Sequence, residues 1–177
     1  LPRARLQRRT NVYTDGDVEL LLIVAGMANE RALLFVLTLV DCGMRVGEVL
    51  ALKWADVHRD HAPVPRFTIR QSKTGVPRVV PMTPRLSDAW SHVNETQLRS
   101  GTVYERSRSG AQRKRSYVRS AVDHPFPYSY SAAQTLVRNL TDDAQVPYCG
   151  IHAFRHHYAT ALLSRGVDVL AVARLLG

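Results

Sequence analysis

Three short clusters in this 177-residue chain hold side chains able to act on an anionic oxygen. In Cys42-Gly43-Met44-Arg45-Val46-Gly47-Glu48-Val49-Leu50-Ala51-Leu52, a glycine turn leads into a helix with Arg45 in its opening turn. A guanidinium there can give two parallel hydrogen bonds to a pair of anionic oxygens, helped by free backbone N–H groups and the positive end of the helix dipole. Glu48, one turn on, can hold that arginine, although an ordinary Arg/Glu surface pair has the same spacing. The second cluster is Gln71-Ser72-Lys73-Thr74-Gly75, at the tip of an expected hairpin. Of the 24 basic residues only three are lysines, Lys53, Lys73 and Lys114. In so arginine-rich a chain, a lysine at a tight turn suits a general acid, because an ammonium gives up a proton at accessible cost and a guanidinium does not. Lysine is also simply common in hairpin turns. The third cluster is Ile151-His152-Ala153-Phe154-Arg155-His156-His157-Tyr158-Ala159-Thr160. His152 and Arg155 are three apart and share a helix face, leaving Phe154, Tyr158, Ala161 and Leu162 for the packed side.

Together these groups suit a phosphodiester. Arg45 and Arg155 can neutralise the non-bridging oxygens, Lys73 can protonate a leaving alkoxide, and His152 can take the proton of an attacking hydroxyl. No acidic cluster is placed to hold Mg²⁺ and there is no P-loop, so no cofactor is expected. His152 and His156 have the i, i+4 spacing of two zinc ligands. The glutamate of HExxH is missing, however, and Arg155 would put a positive charge beside the ion, which disfavours zinc.

The elements that must position these groups are mostly helices. Thr14 and Asp17 form a capping-box pattern ahead of Val18, Leu21, Leu22 and Ala25 at helical spacing. From Glu30 to Cys42 the chain is apolar nearly all round, as in a helix at the domain centre, with Gly43 as its stop. A third helix is predicted from Arg45 to Trp54. Phe67, Ile69 and the VPRVVPM stretch predict an antiparallel hairpin over 66–82, its second strand at an edge because of Pro77 and Pro81. Pro84 opens a helix expected to run to Arg99, burying Leu86, Trp90, Val93 and Leu98. Seven basic residues and one acid from Arg99 to Arg119 read as a flexible surface loop. Helices over Ser131–Ala144, Ile151–Arg165 and Val167–Leu176 complete a mainly α fold with a small β component, the last two separated at Gly166.

A formal charge of +9 and a pI near 10.1 make a polyanion the first partner to consider, nucleic acid ahead of a membrane surface. The longest apolar run, Ala32 to Val40, is far short of the roughly 20 residues that span a bilayer, so no integral membrane protein is expected. Cys42 and Cys149 do not suggest a disulfide framework, and a cytoplasmic, nucleoid-associated location fits. Residues 1–13, with Arg3, Arg5, Arg8 and Arg9, read as a basic linker or arm, and 14–177 as a domain still inside a helix where it stops, which suggests a piece of a longer protein.

The segments CGMRVGEVLALKWADV, FTIRQSKTGVPRVVPMT and GIHAFRHHYATALLSRGVDVLAVARLLG resemble the three conserved regions of the tyrosine recombinase (phage integrase) catalytic domain, in the same order, over about residues 14–177. The resemblance implies that Arg45 is the first catalytic arginine, Lys73 the hairpin lysine, His152 and Arg155 the His-x-x-Arg pair, and Glu48 a supporting acid. It implies site-specific cleavage and rejoining of double-stranded DNA through a 3′-phosphotyrosyl link, by a homo-tetramer on paired sites, with accessory DNA-bending proteins as further partners. The family places a second histidine or tryptophan, and then the nucleophilic tyrosine, after the Leu-Leu-Gly segment. None of the seven tyrosines here lies there, so residues 1–177 alone are expected to be inactive. Tyr158 falls at a packing position. A non-catalytic DNA-binding module and a type IB topoisomerase-like enzyme are the alternatives.

Overall fold

A computed structural model describes residues 12–60, 62–70, 77–100, 104–106, 112–114 and 121–177. Lys73 and the hairpin tip lie outside the described residues, as do residues 1–11 of the basic arm and most of the basic segment between Arg99 and Arg119. Helix α1 (Asp15–Ala28) begins at the expected capping box: Asp17 N–H donates to Thr14 Oγ1 at 3.1 Å, and Thr14 N–H to Asp17 Oδ2 at 2.9 Å. Helix α2 (Glu30–Cys42) is buried on every side and packs against α1 and three further helices, as its apolar sequence requires. It stops at Gly43, whose φ of 57° is the left-handed conformation that glycine adopts most readily.

The third helix is shorter than predicted. Helix α3 spans Val46–Ala51, and Arg45 stands just before it in an extended conformation. Leu52, with a ψ of 137°, leaves the helical conformation, the Asp56 carboxylate takes the Lys53 N–H at 3.0 Å, and a separate 3-10 turn follows at Trp54–Asp56. Trp54 is drawn out of helical register by two longer-range bonds: its indole N–H reaches the Ala121 carbonyl, and its backbone N–H reaches that of Asp123, both at 3.1 Å.

Strands β1 (Val57–His58), β2 (Arg66–Ile69) and β3 (Arg78–Pro81) form an antiparallel sheet in that order, with β3 at an edge as its prolines demand. The two-residue strand β1 has no alternating pattern long enough to announce it. The helix expected from Pro84 to Arg99 is two helices, α4 (Pro84–Ser91) and α5 (Glu95–Ser100). Ser91 Oγ donates to the Asp88 carbonyl at 2.8 Å and His92 Nδ1 lies 2.8 Å from the same oxygen, so side chains compete with the backbone ladder where the helix breaks. Strands β4 (Tyr104–Arg106) and β5 (Gln112–Lys114) pair antiparallel inside the segment expected to be a loop. Helices α6 (Tyr130–Asp143), α7 (Ala153–Ser164) and α8 (Val169–Leu176) close the chain, with Gly166 at a φ of 80° between the last two.

The mainly helical architecture with a small antiparallel sheet is therefore the one the sequence predicts. Trp90 sits at the meeting point of the core, edge to face with Trp54, Phe67 and Phe126 at centroid distances of 6.1, 5.7 and 5.8 Å. Phe35 of α2 adds to this cluster against Phe126 and Tyr128. Tyr13, read from sequence as the last residue of a basic linker or arm, is buried against Phe154 and accepts the Cys149 N–H on its hydroxyl.

Candidate active site

The turn at Gly43, the start of α7 and one sheet edge build the site. The left-handed turn at Gly43 turns the chain from α2 towards α3 and presents Arg45 immediately before the first helical residue. Gly43 is required there twice over, since a Cβ on it would lie 2.3 Å from the ring of Tyr158 on α7. Its carbonyl accepts from Arg155 Nη1 at 2.9 Å, so the same turn that sets Arg45 also holds Arg155.

Glu48, almost wholly buried, is the hub. Its Oε2 accepts the Arg45 backbone N–H at 2.9 Å, and its Oε1 lies 3.3 Å from Arg45 Nη1. The amide at the start of α3 is thus already used by a carboxylate, and a six-residue helix adds little dipole. From the sheet edge Arg78 grips both oxygens of the same carboxylate, at 2.7 and 2.8 Å. Burial alone would raise the Glu48 carboxyl, but the hydrogen bonds from Arg78 and from the Arg45 backbone, with the charges of both arginines, hold it below its usual range. Arg155 feels the opposite balance: burial, then repulsion from Arg45 and Arg78, push its guanidinium below its ordinary value, with Glu48 pulling it back. An arginine so shifted is still charged at neutral pH.

Arg45, Glu48 and Arg155, all foreseen from sequence, therefore come together. His152 sits at the N-cap of α7, and its carbonyl accepts the Arg155 N–H at 3.1 Å. Its exposed ring pairs with Tyr130, Nε2 lying 3.3 Å from the hydroxyl. Glu48 also lines a hollow of about 270 Å³ with Lys53, Asp56, Thr68, Arg70 and His124, which takes in neither Arg45 nor Arg155. Among the described residues no group of three or more His, Cys, Asp or Glu is placed to hold a metal ion, and no helix is long and apolar enough to cross a membrane.

Residues 13–177 match the pattern of the phage integrase family. The chain belongs to that family. It is 28% identical to the tyrosine recombinase XerC-like protein of Caldanaerobacter subterraneus subsp. tengcongensis, over 95% of this chain and 48% of that one. It is 31% identical to the tyrosine recombinase XerA of Thermococcus kodakarensis, over 93% and 52%. The chain thus spans about half the length of these relatives. The fold matches the crystal structure of XerA recombinase with a TM-score of 0.72 at 21% identity, over 99% of this chain and 57% of that one. It matches XerH site-specific recombinase bound to its difH substrate with a TM-score of 0.67 at 18% identity, over 99% and 49%. This phage integrase domain is similar in sequence to tyrosine recombinases and shares the fold of XerA recombinase.

Two residues that contact this cluster, Arg78 and Tyr130, escaped sequence reading. Arg78 was one of many arginines, and its only signal was its place two residues before the buried Val80 on an edge strand, which puts both on one face. Tyr130 carried no signal, because only the packing of α6 against the rest brings it to His152. Tyr158 occupies the packing position expected of it: it lies against Gly43, and burial, with Cys42 and Asp41 nearby, pushes its phenol above the ordinary value.

Proposed function

We propose that the chain is the part of a site-specific DNA recombinase that binds the scissile phosphate and supplies the general acid and base for cutting and rejoining duplex DNA. One observation carries this reading. Two guanidiniums, of Arg45 and Arg78, contact a single carboxylate, that of Glu48, and a third, of Arg155, held on the Gly43 carbonyl, is near enough to feel all three charges, which leaves an excess of two positive charges in the cluster. Like charges so crowded, one of them partly desolvated, favour a bound anion, and a phosphodiester in a polyanion that already suits a chain of net charge +9 is the fitting one.

In this scheme Arg45 and Arg155 hold the two non-bridging oxygens, and their charge is worth most as the phosphorane develops. A tyrosine oxygen attacks phosphorus, its proton passing to His152, while the bond to the 5′-oxygen breaks and that oxygen takes a proton from Lys73. The phosphate ends joined to tyrosine at the 3′ side, and a 5′-hydroxyl from a second duplex reverses the step, so bond energy is conserved. The attacking tyrosine is assigned to sequence beyond the Leu-Leu-Gly segment, in line with the resemblance, which leaves residues 1–177 inactive alone. Exchange between duplexes calls for a homo-tetramer on two double-stranded DNA sites, with accessory DNA-bending proteins as further partners.

The test is made on the intact recombinase with a nicked duplex carrying its target site. Lys73→Ala is expected to slow cleavage by about 10² or more, and a bridging 5′-phosphorothiolate, whose leaving group needs no proton, is expected to restore it. A defect that persists with the sulfur leaving group removes Lys73 from the general-acid role.

A further inference from the structure

Arg78 has two partners it could serve, a phosphate or Glu48, and the geometry decides between them. Both of its terminal nitrogens lie on Glu48, at 2.7 and 2.8 Å, the short parallel pair of a bidentate guanidinium–carboxylate contact. Its Nε is buried with no hydrogen-bond partner, and the backbone of Gly177 lies against its guanidinium, where a Cβ would come within 2.8 Å. Arg45, by contrast, meets the same carboxylate through its backbone N–H at 2.9 Å and through only one guanidinium nitrogen, at a long 3.3 Å. Its Nη2 donates at 2.7 Å to an oxygen outside the ion pair, the Gly177 carbonyl. That guanidinium edge is therefore available to an acceptor other than Glu48.

We infer that Arg78 is a positioning residue that occupies both oxygens of Glu48 so that the carboxylate fixes the backbone of Arg45 without quenching its guanidinium. This rests on the reading of the cluster as a phosphate site. A buried carboxylate next to one arginine forms the bidentate pair with it, because no other arrangement satisfies both oxygens as well. With Arg78 in place on β3 that pairing is already made, and Arg45, which touches Glu48 through one nitrogen only at 3.3 Å, keeps its charge and its remaining N–H donors for the anion. Charge count and fork occupancy are separable: Arg78→Lys keeps the cation but cannot span both oxygens.

Inorganic phosphate is titrated into residues 1–177 and into variants, following the Arg45 Nε–Hε resonance, with thermal melting as the check on folding. In the parent the resonance is expected to move saturably. Arg78→Lys is expected to weaken phosphate binding by about threefold to tenfold, because one freed Glu48 oxygen turns to Arg45. Adding Glu48→Gln is expected to return the affinity to within about twofold of the parent, a rescue that a merely structural loss would not show. Should Arg78→Lys not fold, Glu48→Gln alone carries the test, with affinity at least equal to the parent expected and weaker binding overturning the role. Parental affinity in Arg78→Lys, or a pair as weak as the single variant, overturns the positioning role and leaves the phosphate site standing if Arg45→Ala still abolishes binding. A parent that binds no phosphate, or an Arg45→Ala variant that binds it as well as the parent, overturns both.

Discussion

At the scale of single residues, Glu48 decides what the arginines can do. Its carboxyl is held below the ordinary value of 4.5 by Arg78 and Arg45 despite burial. A group depressed in the folded state contributes stability that is fully present above the unfolded value and is lost as pH falls through the folded one. The Glu48→Gln variant cannot show that loss. Melting temperatures of the two proteins from pH 7 downwards are therefore expected to differ most at neutral pH and to draw together below pH 4.5. A gap that stays constant into acid would show that Glu48 is not the charged hub described here. The sequence revealed the Arg45–Glu48 spacing because the residue just before a helix and the one three further on meet across its first turn. Arg78 was hidden because nothing local distinguishes it, its partner lying 30 residues away on another element.

At the scale of elements, the turn at Gly43 couples the two halves of the site. It holds Arg155 by its carbonyl, precedes Arg45 by two residues, and leaves room for the Tyr158 ring only because it has no side chain. Gly43→Ala is expected to cost about 2 kcal/mol or more, from the left-handed φ and from the ring it would meet. Chemical denaturation measures this, and an unchanged midpoint would mean that α2 and α7 rearrange freely, which the shared turn does not allow. Capping and periodicity made α1, α2 and α6 readable, since Thr14, Gly43 and the apolar spacing all act within a few residues. The continuous helix from Pro84 to Arg99 was misread because Ser91 and His92 bond back to Asp88, a choice that propensity does not express. Arg99, counted among the basic loop residues, is tied down by Glu95 and the Val122 carbonyl and lies over the Trp54 ring. It anchors the end of α5.

At the scale of the whole molecule, the sheet, α2 and α4 are joined through Trp90, which is fully buried among Trp54, Phe67 and Phe126. Trp90→Ala is expected to lower unfolding free energy by about 3–5 kcal/mol, read by denaturant melts, and to loosen the sheet edge that carries Arg78. A loss below about 1 kcal/mol would show that the aromatic cluster is not the centre of the core. The fold class was legible because amphipathic and fully apolar helices dominate the sequence. The convergence of Arg45 with Arg155 was suggested by the chemistry their clusters share and by the resemblance, while their sequence separation carries no distance information. The account depends on those two arginines sharing one phosphate. The most direct measurement is the yield of covalent protein–DNA complex formed by the intact recombinase on a nicked duplex carrying its target site, for the parent and for Arg155→Ala. The account predicts a fall of at least about 10²-fold with duplex affinity within about threefold of the parent, and parental yield from Arg155→Ala would contradict it.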